Sequence, residues 1–129
     1  MKLNEFDFEV DIQCPRYPTE DKEKLIQCLS NVFPKTKWDI EEKRIEGKTK
    51  YLTRFKRILE DMRIRDTARS YLKERMVGDR CSFSLSKQAT CSEKINFSET
   101  EKSLGEVKVI IRCEKISGLI ENITGTEEL

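Results

Sequence analysis

Phe6, Phe8, Val10 and Ile12 alternate strictly with Glu5, Asp7, Glu9, Asp11 and Gln13. A period of two over that length specifies a strand with one buried face and one acidic face. Near the other end of the chain, Val107, Val109, Ile111 and Cys113 alternate with Lys108, Ile110 and Arg112. Strands buried on both faces read as continuous apolar runs, so this alternation points to a largely antiparallel sheet with helices on one side.

The segments between these strands supply that helical layer. Pro15 and Pro18 end the first strand, and Thr19 is placed to cap a helix whose first turn holds Glu20, Asp21 and Glu23. Leu25, Leu29 and Val32, with Ile26 and Phe33, form its apolar stripe, and Pro34 stops it. Trp38 and Ile40 mark a second strand whose phase slips before Ile45, which implies a bulge or an end near Glu42, and Gly47 reads as a turn. Helical spacing returns at Leu52, Phe55, Leu59 and Met62 and continues through Ile64, Ala68, Leu72 and Met76, with a kink or a fresh cap expected at Asp66. Gly78-Asp79 breaks it. Three strands are expected around Cys81–Leu85, Cys91–Phe97 and Val107–Cys113, with a polar, turn-like Ser98–Gly105 before the last. Ile116–Ile123 reads as a short amphipathic helix, with a frayed tail from Thr124. The order β-α-β-α(α)-β-β-β-α defines an α+β two-layer sandwich in a single domain, residues 1–129.

Absences narrow the chemistry. The chain has no histidine, which rules out Ser-His-Asp and Cys-His catalysis and any imidazole metal site. Its five cysteines show no Cys-x-x-Cys spacing, and Cys81, Cys91 and Cys113 fall in phase with apolar neighbours, as buried reduced thiols would. The five glycines are isolated and build no phosphate-binding loop. No signal peptide is visible and no apolar run approaches the ~18 residues of a membrane span, so a cytoplasmic location without membrane contact is expected. No cofactor and no metal is expected, and nothing calls for an enzyme.

The net charge of +1 conceals an uneven distribution. Residues 1–42 carry 6 basic and 10 acidic side chains, residues 43–87 carry 14 and 6, and residues 88–129 carry 5 and 8. An anionic partner is therefore drawn to the middle third. There Arg65, Arg69 and Lys73 stand four residues apart and form a ridge on one helical face, with Arg75, Arg80 and Lys87 following. Guanidinium groups bond phosphate oxygens in pairs, and several on a rigid helix can track a nucleic-acid backbone. The same residues could instead pair with Asp66, Glu60, Asp79 or the acidic first strand. Of the aromatics, Tyr17, Tyr51 and Tyr71 are the candidates for exposed stacking rings.

Ile64-Arg65-Asp66-Thr67-Ala68-Arg69-Ser70, then Gly78-Asp79-Arg80, then Leu85-Ser86-Lys87-Gln88-Ala89 occur in this order, and with Pro18-Thr19-Glu20-Asp21, Asn31-Val32-Phe33-Pro34 and Gly105 the pattern resembles a family of small uncharacterised archaeal proteins. The resemblance covers about residues 5–120. It implies RNA binding, a fold similar to that of the ribosomal protein that binds 5S ribosomal RNA, and a homodimer. Carried onto this chain, the motif positions are Arg65, Asp66, Thr67, Ala68, Arg69, Asp79, Arg80, Lys87 and Gln88. Ser86 stands where asparagine is common in that family.

The reading that follows is a non-enzymatic RNA-binding domain with Arg65, Arg69, Arg75, Arg80 and Lys87 on phosphates, Gln88 on a base or sugar, and Asp66, Thr67 and Asp79 in structural roles. The alternative is a homodimeric interaction or assembly module whose Arg–Asp motif is an internal salt-bridge network. An enzyme acting on a phosphorylated small molecule ranks third.

Overall fold

Phe8, Val10, Ile12 and Cys14 all lie on the buried side of β1 (Phe8–Pro15), as their spacing requires. The computed structural model describes residues 2–98 and 106–125. After a short 3-10 turn (Leu3–Glu5) and β1 come α1 (Lys22–Val32), β2 (Lys37–Ile40), β3 (Arg44–Thr49), α2 (Thr53–Asp61), α3 (Arg65–Glu74) and β4 (Met76–Val77). The chain continues with β5 (Arg80–Ser86), α4 (Lys87–Cys91), β6 (Phe97–Ser98), β7 (Glu106–Cys113) and α5 (Ile116–Ile123).

The strands form one antiparallel sheet in the order β2-β3-β1-β7-β5-β4, with β6 paired to β5, and the helices pack on one face. The α+β two-layer architecture is thus as the alternation predicts. Register lines the inward residues into rows: Thr49, Val10, Ile111 and Cys81 form one, and Gly47, Ile12, Val109 and Phe83 the next. A slip of one residue in any strand would turn its whole apolar set to solvent, which pins the pairing. Over these rows a chain of rings joins the helical layer, Phe33 to Phe55 (5.8 Å), Phe55 to Phe83 (5.8 Å), Phe83 to Phe97 (5.9 Å) and Phe97 to Tyr71 (4.5 Å).

Several local expectations are corrected. Thr19 lies in a turn, and Asp21 caps α1 by accepting from the Glu23 amide at 2.9 Å. The phase slip before Ile45 is the strand end expected near Glu42, where a hairpin joins β2 to β3, but Gly47 sits inside β3 opposite Trp38 rather than in a turn. A Cβ at Gly47 would lie 2.4 Å from the Trp38 ring, so close ring-to-backbone packing explains this glycine. Helices α2 and α3 are separate. Arg63 takes φ 58°, and the Ile64 and Arg63 amides bond the Leu59 and Glu60 carbonyls in a Schellman closure. Asp66 lies in the first turn of α3 and does not cap it.

The expected strand at Cys91–Phe97 is instead the end of a helix, a turn and an irregular stretch before Phe97. Ser86 accepts from the Ala89 amide at 3.2 Å and starts α4, which Glu93 (φ 58°) closes in the same Schellman manner. Only Phe97 and Ser98 add to the sheet, and residues 99–105 of the expected Ser98–Gly105 turn lie outside the described residues. Cys91 is not a reduced core thiol, because it is joined to Cys28 of α1 in a disulfide. Thr124 is fully buried, so the tail does not fray at that residue, and residues 126–129 lie outside the described residues.

Cys14, Cys81 and Cys113 are buried free thiols. Burial pushes Cys14 up to about 11 and Cys81 up to about 12, and raises Cys113 as well; Lys87 opposes the rise at Cys14 and Arg75 at Cys81. Above pH 9 an unfolded thiol releases a proton that the native one keeps. The thiols' contribution is therefore complete below that pH and is lost as pH rises toward the native values. Urea denaturation should show stability falling from about pH 9, by up to about 1.4 kcal/mol per pH unit for each thiol, with a shallower fall in Cys81→Ala. Equal slopes in the two proteins would contradict this.

Candidate nucleic-acid interface

Arg65, Arg69 and Lys73 do form a ridge on α3, and it faces the last turns of α5. Arg69 is half-buried there. Its Nε donates to Thr124 Oγ1 (3.2 Å), its Nη2 to the Thr124 carbonyl (3.1 Å) and its Nη1 to Asp66 Oδ1 (3.1 Å). Glu121 Oε1 lies 3.6 Å from Nε. Thr124 Oγ1 in turn donates to the Ile120 carbonyl at 2.7 Å. The carbonyl end of a helix carries partial negative charge and unpaired acceptors, and Arg69 satisfies both.

The flanking ridge residues reinforce this contact. Lys73 Nζ donates to Glu121 Oε2 at 3.0 Å. Arg65 lies across Gly125, which has φ +77° and no room for a Cβ beside the guanidinium, and its Nη1 is 4.0 Å from Glu60 Oε2. Arg65 and Lys73 keep 45% and 39% of their side chains exposed against 24% for Arg69, so the ridge still presents two cations to solvent.

The other predicted residues spread over the molecule. Arg75 stacks its guanidinium on Tyr71 at 4.4 Å. Arg80 is exposed where β5 begins, directly across from Arg112 of β7. Lys87 sits at the far end of β5, about 20 Å away at the usual rise of a strand. Only 12% of its side chain is exposed, and its Nζ donates to the Pro15 carbonyl (3.0 Å) and to both Glu20 carboxylate oxygens (3.1 Å each). Gln88 is exposed in the first turn of α4, beside Lys87 rather than Arg80. Asp79 belongs to the two-residue β4–β5 turn, where its carbonyl accepts from the Cys113 amide at 2.8 Å. Thr67 is exposed on α3 at the mouth of a cavity of about 420 Å³ that reaches Tyr71 and Phe97. Each candidate tyrosine carries a cation on one face: Lys87 on Tyr17, Lys35 on Tyr51 and Arg75 on Tyr71.

A basic cluster that the charge tally by thirds divides lies elsewhere. Lys35, Lys37, Lys48 and Lys50 line a cavity of about 340 Å³ where β2, β3 and β1 meet. Among the described residues, one acidic trio, Asp39, Glu41 and Glu46, brings its oxygens within 4.8 Å of one another. It is largely exposed, and Arg44 already pairs with Glu41 (3.1 Å) and Glu46 (2.9 Å). No helix among the described residues is long and apolar enough to cross a membrane.

A sequence model of the RNA-binding family matches residues 9–113. A UPF0201 protein of Methanothermobacter thermautotrophicus is 33% identical over 88% of this chain and 88% of its own length. The chain belongs to this family. The crystal structure of a UPF0201 protein from Methanococcus jannaschii superposes with a TM-score of 0.82 at 34% identity, covering 90% of this chain and 98% of that one. A UPF0200/UPF0201 protein of Archaeoglobus fulgidus is 33% identical over 84% of this chain, which spans only 34% of that longer protein. The family identified from the sequence motifs is therefore the right one.

Several residues of the sequence motifs bond within the fold: Arg69 with Asp66, Lys87 with Glu20, and Asn31 Nδ2 with the Thr90 carbonyl at 3.1 Å. Arg69→Ala would leave the α5 terminus, with the Thr124 carbonyl and hydroxyl, without its donors, at about 1–3 kcal/mol. Thermal unfolding should show a marked fall in melting temperature for Arg69→Ala, little recovery in Arg69→Lys, and almost none of either effect in Arg80→Ala.

Proposed function

We propose that the protein binds RNA, without acting on it chemically, through contacts to the sugar–phosphate backbone. One observation carries this reading. In the stretch that the RNA-binding model matches, the exposed side chains of Lys43, Lys48, Lys50, Arg57, Arg63 and Arg80 have no carboxylate within 4.0 Å among the described residues. Cations held apart from internal partners on a folded surface are what a phosphate backbone requires. Of the motif residues, Arg65, Arg80 and Gln88 are exposed and would make such contacts, whereas Arg69 and Lys87 would serve by fixing α5 and the β1–α1 loop.

The bonding of Arg69 favours a second reading for that motif alone, a homodimeric assembly module with an internal Arg–Asp network. In that case light scattering gives a dimer and RNA has no effect on it.

Binding of labelled single-stranded RNA, followed by fluorescence anisotropy across a salt series, tests the first reading. The wild-type protein should give a linear fall of log affinity with log salt, about 0.7 in slope per phosphate neutralised. Arg65→Ala/Arg80→Ala should melt like wild type and bind with a shallower slope. Salt-independent binding, or none, rejects the reading.

A further inference from the structure

We propose that the cleft of Lys35, Lys37, Lys48 and Lys50 is the site that grips the RNA phosphates; this rests on the RNA-binding reading above. Lys37 and Lys48 are register partners on the antiparallel β2–β3 pair, so two ammonium side chains stand directly opposite one another on the same face. Like charges so placed destabilise a sheet. The one carboxylate in register with them is Asp11 of β1, opposite Lys48. No ion pair links any of the four lysines to a carboxylate among the described residues, and all four are exposed. Two carboxylates border the cleft, Glu9 and Asp11. Asp11 is taken by Arg112, which is also the register partner of Glu9.

The backbone holds the cleft open at some cost. Lys35 has φ 60°, a left-handed conformation that non-glycine residues adopt infrequently. The two other non-glycine residues of this kind among those described, Arg63 and Glu93, close helices in Schellman motifs. Lys35 closes none. Its carbonyl accepts from the Thr49 hydroxyl at 3.2 Å, Thr49 Oγ1 in turn accepts from the Tyr51 amide at 3.1 Å, and the Lys35 ammonium lies 4.6 Å from the centre of the Tyr51 ring. Local strain that the surroundings enforce is a recurrent mark of binding sites. A lysine ammonium serves phosphate as a mobile point charge, suited to RNA of varied sequence.

The test compares wild type with Lys37→Gln/Lys48→Gln and with the helix-surface control Lys22→Gln/Lys24→Gln, by anisotropy with mixed-sequence single-stranded RNA over a salt series. The cleft variant should lose at least about tenfold in affinity at low salt and about 1.4 in log–log slope, two contacts' worth, while the control keeps both. Its melting temperature should equal or exceed that of wild type, because a repulsive pair has gone. Lys35→Gly/Lys50→Gln, in which glycine suits the left-handed backbone, removes the other two charges and should show the same loss. If wild type binds and the cleft variants bind equally well, the cleft is overturned and RNA binding stands. Equal loss in the control also overturns it, as a net-charge effect. If wild type does not bind RNA at all, both proposals fall.

Discussion

β7 pairs with β1 on one side and β5 on the other, and its inward residues Val107, Val109, Ile111 and Cys113 are all buried. Inserting the last strand between the first and the fifth closes the core late in the chain and forces every helix onto the same face. With that face filled by the ring chain from Phe33 to Tyr71, charged side chains are confined to the outer sheet face, the sheet ends and the backs of the helices. A chain with this many ionised groups must then either pair them or display them, and the structure does each in a different place.

The cations divide along that line by place rather than by type. Arg69 has a fixed fork of donors, and it is used where several acceptors converge, at the α5 terminus. Lys87 likewise joins the β1–α1 loop to α4 through Glu20. The lysines around the β2–β3 hairpin have no such partners and repel one another. Sequence motifs single out the first group, because residues with fixed structural duties leave a readable pattern. Charge that is merely displayed leaves little.

The parts of the fold legible in the sequence were those with a clean period. β1, β5, β7, the stripes of α1 and α5, and the inward residues of α2 and α3 follow from spacing alone. The failures have local causes. Gly47 reads as punctuation, but here a tryptophan ring from the neighbouring strand lies over the backbone. Cys91, Ile95 and Phe97 alternate only loosely, and the Ser86 cap redirects the first of them into α4, where Cys28 comes within bonding reach. Thr124 looks like tail because its value lies in a partner 55 residues away, Arg69. The cleft was invisible for a related reason: Lys35 and Lys37 belong by sequence to the acidic first third, and only the hairpin brings them to Lys48 and Lys50.

The displayed lysines of the cleft meet RNA, while Arg69 and Lys87 hold the fold. Lysine acetylation footprinting with mass spectrometry, on the protein with and without saturating single-stranded RNA, tests it most directly. RNA should protect Lys35, Lys37, Lys48 and Lys50 strongly and leave Lys22, Lys24 and Lys87 unchanged, with Lys87 slow to react in both states because Glu20 and the Pro15 carbonyl hold it. Protection centred on Lys73 with none in the cleft would contradict the claim.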